Sequence, residues 1–265
     1  MALKARNITR NKNRRLCTVL SEMVYPNDTV LNPKAAPQRN ETMMHKKLIQ
    51  WFGLTGIFAL VSYASAVIFA PSAFPGYSWM AQAVSDLSAS NAPSRAQWDR
   101  LSSFYNSGSI VCATCTAIYV SEQKGFPRLF RTGIYLFTIM NWVSCVGYAM
   151  FPLSDTEMET VSFQDIMHIL VTAFVVLLSV ASLICMIIAG CREQRAKGIG
   201  IWASVALLMM LTGAIGQGIV PPEYFGIVER FSVFAAVGFN AILGIYLFQG
   251  FPSFCRMPQG TDSSI

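Results

Sequence analysis

Only two histidines occur in the 265 residues, His45 and His168. A metal centre built on two or more imidazoles needs them on one side of a molecule. His45 falls in a basic leading tail and His168 in an apolar run, so a zinc hydrolase is disfavoured and no metal ligand set is assigned. Charge is equally scarce: 13% of residues are Asp, Glu, Lys or Arg against 53% apolar and aromatic, whereas a soluble domain carries about a quarter charged. A Gly-rich phosphate loop, a dinucleotide fingerprint and a serine elbow between strand and helix are all missing, and no cofactor is implied. The seven cysteines form no disulfide framework. Cys112 and Cys115 make a Cys-x-x-Cys inside an apolar span, where packing explains them better than redox or metal work. Cys191 and Cys255, near span ends, are weak palmitoylation candidates. No internal repeat stands out, which weakens an alternating-access transporter.

What is present is a succession of six apolar segments, at about 48–70, 101–121, 130–150, 163–189, 200–220 and 226–248. A hydrocarbon core about 30 Å thick needs about 20 helical residues to cross it. The expected fold is all-α: a polytopic membrane protein, a six-transmembrane-helix bundle. Its domains are a disordered basic cytosolic tail (1–46), the transmembrane domain (47–249) and a short cytosolic tail (250–265). Pro71, Pro127, Pro152, Pro221 and Pro252 sit at segment edges, where a residue without a backbone donor is tolerated. The start has no signal-peptide plan, because basic Met1 to Arg15 is followed by only a brief apolar patch, Leu16 to Leu20. The first long apolar run is therefore expected to be a retained span.

Lys and Arg alternate in abundance from loop to loop. Ten lie in the leading tail, three in 121–131, three in 190–198 and one after 249, against Arg95, Arg100 and Arg230 on the other side. The positive-inside rule then puts both termini in the cytosol of a plasma or secretory-pathway membrane. The net charge of +6 is read as this orientation signal, with membrane lipids rather than nucleic acid as the implied partners. Tyr77, Trp79, Trp98 and Tyr224 mark the outer boundary. Three sequons in the tail, at Asn7, Asn27 and Asn40, would matter only if the tail were luminal. They are expected to be chance triplets.

Polar residues gather near the outer face. Met80, Val84 and Leu87 recur at helical spacing, which predicts a short interfacial helix with Ser85 and Asp86 capping a turn or pointing between helices. Asp165 and His168 are three apart on one helix face, the spacing at which a carboxylate can fix an imidazole's tautomer and raise its basicity. Glu229 and Arg230 open the sixth segment, and Arg230 could pair with Asp86, Asp155 or Asp165 or hold an anionic headgroup. Ser85, Asp86, Asn106, Asp155, His168, Glu229 and Arg230 thus form the candidate cluster. Gly53, Gly56, Gly213, Gly216 and Gly218 read as packing positions, and Asn141, Gln217 and Asn240 as interhelical hydrogen-bonding groups.

Several short motifs stand in a recognisable order: Pro75-Gly76-Tyr77, Ser85-Asp86-Leu87, Phe104-Tyr105-Asn106-Ser107-Gly108, Phe151-Pro152 with Asp155 and a downstream His168, and Gly226-Ile227-Val228-Glu229-Arg230. Together they resemble the family catalogued as domain of unknown function 998, over about 48–248. That resemblance implies a six-span architecture and the polar cluster, with no reaction attached. A looser likeness joins Ser85-Asp86-Leu87-Ser88-Ala89 and Pro93 to the Ser-Asp-Thr-Gly-Ala and Pro pattern of six-span proteins in autophagy modulation and lipid-anchor remodelling; Leu87 and Ser88 depart from it. Seven-span hydrolases using Ser, Asp and three His are excluded by the missing histidines.

Three functions follow as expectations. The leading one is an outer-face cavity lined by Asp86, His168 and Arg230, with Asn106, Asp155 and Glu229 nearby, that binds or moves a lipid headgroup or small polar solute. The second is a lipid hydrolase or remodelling enzyme with Asp165 and His168 as acid-base pair and Ser85 as nucleophile. The third is a membrane scaffold whose basic tail binds anionic lipids or proteins.

Overall fold

The computed structural model describes residues 46–153 and 162–255. The leading tail with its sequons and His45, the loop residue Asp155, and residues after 255 lie outside the described residues. Among the described residues the chain is helical, without strands. A short turn, α1 (Leu48–Trp51), leads into α2 (Leu54–Phe69), followed by α3 (Arg95–Leu101), α4 (Tyr105–Glu122), α5 (Arg128–Met150), α6 (Phe163–Arg192), α7 (Lys197–Gly216), α8 (Phe225–Gln249) and α9 (Pro252–Cys255).

Among the described residues, five stretches are long and apolar enough to cross a membrane: Leu48–Ala73, Arg128–Met150, Phe163–Arg192, Gln194–Gly216 and Pro222–Gln249. The second of the six expected spans, α4, falls short. Asn106, Ser107 and Ser109 in its first turns, with Ser121 and Glu122 at its close, dilute an apolar middle. Its 18 residues still reach about 27 Å at 1.5 Å each.

Neighbours in sequence are neighbours in space. α2 packs on α4, α4 on α5, α5 on α6, α6 on α7, α7 on α8, and α8 returns to α2 and α4. The first and last long helices begin and end together, because the Lys46 ammonium lies 3.3 Å from the Phe248 ring centroid. We call this the terminal end, and the opposite one, carrying residues 70–104, the loop end. α4 runs between them: Tyr105 meets Tyr63 at 4.7 Å near the loop end, and the Tyr119 hydroxyl donates to the Gly250 carbonyl at 3.1 Å at the terminal end.

Small residues decide how close the helices come. Gly53, which caps α2, and Gly244 of α8 lie backbone against backbone, so that a Cβ on either would strike the other's carbonyl oxygen. Gly56 faces Cys112 and the Asn240 carbonyl, and Gly213 and Gly216 face Val228 and Ser232. Gly218, expected in the same role, instead sits in the turn after α7 with only the Ile215 carbonyl near it. Asn240 bridges helices as expected, its Nδ2 donating to Ser109 O at 3.4 Å. Asn141 bonds within its own helix, to Phe137 O, and Gln217 is exposed at the end of α7.

The terminal end is closed by aromatic rings. Gly250 and Phe251 both adopt positive φ, 73° and 50°, which reverses the chain after α8. Left-handed backbone at a bulky residue costs about 1–2 kcal/mol, and burial of Phe251 offsets it. That ring is fully buried among Tyr119, Phe126, Phe130, Tyr246 and Phe254.

At the loop end the expected interfacial helix is replaced by turns and one 3-10 turn, Ser85–Ser88. Val84 and Leu87 do point inward, 2% and 0% exposed. The backbone donors of a would-be helix go to side chains instead: Ala83 N–H to Asp86 and Val84 N–H to Glu229. A real helix, α3, forms just beyond, tied back by Ser94 Oγ donating to Leu87 O and by Arg95 Nη1 donating to Ser88 O, with the Arg95–Asp99 ion pair inside the helix.

Candidate functional site

The first two turns of α8 organise the loop end. Gly226 permits the loop to lie on the helix, since a Cβ there would be 2.6 Å from the Trp79 carbonyl oxygen and closer still to that of Gln82. Ile227 N–H donates to Met80 O at 3.3 Å, a backbone bridge from helix to loop. Glu229 and Arg230 then hold the loop from below with opposite polarity.

Glu229 Oε2 accepts the Val84 N–H at 3.0 Å. Arg230 Nη1 donates to Gln82 O at 3.2 Å and to Gly226 O at 2.7 Å, while Nη2 donates to the Tyr77 hydroxyl at 2.8 Å. The Tyr77 hydroxyl in turn donates to Ala83 O at 2.7 Å. Asp86 Oδ2 accepts the Ala83 N–H at 3.1 Å, closing the turn. Burial raises the Asp86 carboxyl above the usual carboxylate range, against the Ala83 hydrogen bond and the Arg230 charge, which both pull it down. Burial likewise raises Tyr77, with Arg230 opposing.

No carboxylate lies within 4 Å of the Arg230 guanidinium among the described residues, where Arg95–Asp99 is the one ion pair at that distance. Three of its five N–H groups reach neutral oxygens. Arg230 also lines a lateral groove of about 290 Å³, with Trp79, Met209, Ile227, Phe231 and Phe234. Trp79 and Phe231 are exposed on its rim. A second groove, about 440 Å³, runs along α7 past Leu208, Leu211, Ile215 and Ile219 without a charged residue.

His168 belongs to a neighbouring polar group. Its Nδ1 lies 2.8 Å from the Phe151 carbonyl oxygen, its ring is 5.0 Å from that of Tyr148, and its own carbonyl accepts from Thr172, which in turn accepts the Tyr148 hydroxyl at 3.1 Å. Asp165 caps α6: Oδ2 accepts from Ser162 N and, at 2.6 Å, from Ser162 Oγ, and Ser162 Oγ receives the Asp165 N–H in return. A capping box of this kind satisfies two helix-end donors.

Of the candidate residues, Asp86, Glu229 and Arg230 are therefore brought together beneath one loop. His168 sits apart from the Arg230 groove. Ser85 is half-buried in the 3-10 turn, where its carbonyl accepts from Ser88 Oγ. Asn106 is exposed on the first turn of α4, and Asp155 lies outside the described residues. Tyr77 and Gln82 hold Arg230 without having been candidates for that role. Their signal was the Pro-Gly-Tyr turn, which aims a phenol back along the loop.

A family model described as "Protein of unknown function (DUF998)" matches residues 57–246, which include every motif from Pro75 to Arg230. Searches among curated proteins and among solved structures find no match.

Proposed function

The chain belongs to the DUF998 family, whose function is unknown, and from that premise we propose a six-crossing membrane protein whose loop end binds or moves a lipid headgroup or small polar solute. The observation that carries this reading is Arg230. It is a half-buried cation on a spanning helix, held by neutral oxygens and bordering a lateral groove. An ionised group at such a depth is costly without a charged or strongly polar partner. Oxygens of a headgroup supply one through charge-assisted hydrogen bonds.

α4 is the sixth crossing. It links the two ends, and only an even number of crossings returns Gly250 to the side of Lys46. Seventeen of the twenty Lys and Arg residues belong to the terminal end and its tails, so that end faces the cytosol and the Arg230 site faces outward.

For a lipid hydrolase, His168 offers one favourable feature. A carbonyl can only accept, so Nδ1 carries the proton and Nε2 is left as a base. Asp165, its intended partner, spends Oδ2 on the cap of α6, which supports binding over hydrolysis.

The test is the lipid profile of a deletion strain rescued by equal amounts of wild-type, Arg230→Gln or His168→Ala protein. Wild type and His168→Ala are expected to restore the profile and Arg230→Gln to leave it altered. Full rescue by Arg230→Gln refutes the proposal. Failure of His168→Ala alone moves the assignment to hydrolysis.

A further inference from the structure

We propose that the occupant of the Arg230 groove is an anionic glycerophospholipid, its phosphate on the guanidinium and one acyl chain against Met209, Ile227, Phe231 and Phe234. This rests on the proposed function and names its ligand class.

Access separates lipid from solute. From the water side Arg230 is roofed by the loop, with Gln82 O at 3.2 Å and the Tyr77 hydroxyl at 2.8 Å. From the membrane side it adjoins a groove whose other lining residues, Trp79 included, are apolar or aromatic. A ligand reaching the guanidinium along the groove travels through hydrocarbon, which an acyl chain does readily and a free polar solute does not.

Donor geometry favours phosphate. Nη1 spends both protons on Gln82 O and Gly226 O, and Nη2 spends one on Tyr77. Nε–H and one Nη2–H remain without a protein acceptor among the described residues. Two donors on a planar fork match two oxygens of one phosphate. Charge favours a net-anionic lipid. Arg230 has no carboxylate within 4 Å among the described residues, Asp86 and Glu229 acting on it from farther off, and a zwitterionic lipid brings a second cation toward the guanidinium, whereas an anionic one does not.

Trp79 reports directly on the groove. Full-length protein is placed in phosphatidylcholine nanodiscs containing bromine-labelled phosphatidic acid, phosphatidylcholine or diacylglycerol. Trp79→Phe gives the background from the other four tryptophans. The Trp79 emission is expected to be quenched at about tenfold lower mole fraction by phosphatidic acid than by the other two, the loss typical of a missing charge-assisted hydrogen bond. Arg230→Gln abolishes the preference. Because that change also loosens the loop, Met209→Phe serves as a second variant: it fills the groove, keeps Arg230, and reduces quenching by every lipid.

Equal quenching by all three lipids in the wild type overturns the proposal. So does relief of quenching by inorganic phosphate, which reassigns the site to a soluble anion. If either result accompanies failed rescue by Arg230→Gln, only the lipid identity is wrong. If Arg230→Gln rescues as well, the proposed function falls with it.

Discussion

Glu229 and Arg230 are adjacent on α8 and grip one loop through complementary groups, an acceptor for Val84 N–H and a donor for Gln82 O. Asp86 completes the arrangement, and its buried carboxyl gives a pH signature. With its native value above the ordinary range, the unfolded chain loses the proton first as pH rises, so native Asp86 loses stability through that window and levels off above its own value. Melting in detergent from acid to neutral pH is expected to show wild type declining relative to Asp86→Asn; a constant difference would place Asp86 elsewhere. Arg230, Glu229 and Tyr77 face it and do not change between the two proteins. These charges were legible because a charged residue in an apolar sequence is conspicuous. Tyr77 and Gln82 were not, since Gln82 acts through its backbone carbonyl and Tyr77 through the path of the loop, and neither leaves a mark in composition. Asn106 looked equivalent to its neighbours in depth, but Tyr105 takes the inward position, leaving the next residue about 100° around the helix.

At the scale of elements, length and apolarity located the spanning helices, and the prolines located their ends. α4 shows the limit: its polar first turns lower its hydropathy although its neighbours carry it from one end of the bundle to the other. The Met80, Val84, Leu87 pattern misled because inward spacing in a compact loop resembles a helical stripe when Glu229 and Asp86 take the backbone donors. Glycine spacing was more faithful, and α2 against α8 makes the clearest test. Gly244→Leu should force the helices apart at Gly53 and cost roughly 1–3 kcal/mol, the range for overpacking. Gly238→Ala has open space around its Cβ and should be neutral or stabilising by about 0.5–1 kcal/mol. Melting temperatures of the two variants in one detergent would compare them; equal effects would mean that the Gly53–Gly244 contact does not set the helix spacing.

For the whole molecule, the charge bias and the shared end of Lys46 and Gly250 support the proposed arrangement in the membrane. A cytosolic tail leaves Asn7, Asn27 and Asn40 unglycosylated, whereas a sequon engineered near Asn91 in the long loop should gain a glycan. A mobility shift on deglycosylation that vanished with the three tail asparagines would invert the molecule. The bias behind the proposed orientation was readable because loop charge is a one-dimensional property. The contents of the outward site were not, because they depend on how a loop folds over a helix far along the chain.

The reversal at Gly250 and Phe251 makes the two ends unequal. Interlocked rings pin the helices at the terminal end, while toward the loop end a smaller ring cluster around Tyr63 is covered by a loop held to α8 by hydrogen bonds that water or a headgroup can replace one at a time. The bundle is therefore built like a fan riveted at its base. Its opening is expected to begin at the loop end, between the tips of α7 and α8 near Arg230, and to leave the terminal end closed. Amide exchange should accordingly begin in the first turns of α8 and reach Tyr246 last.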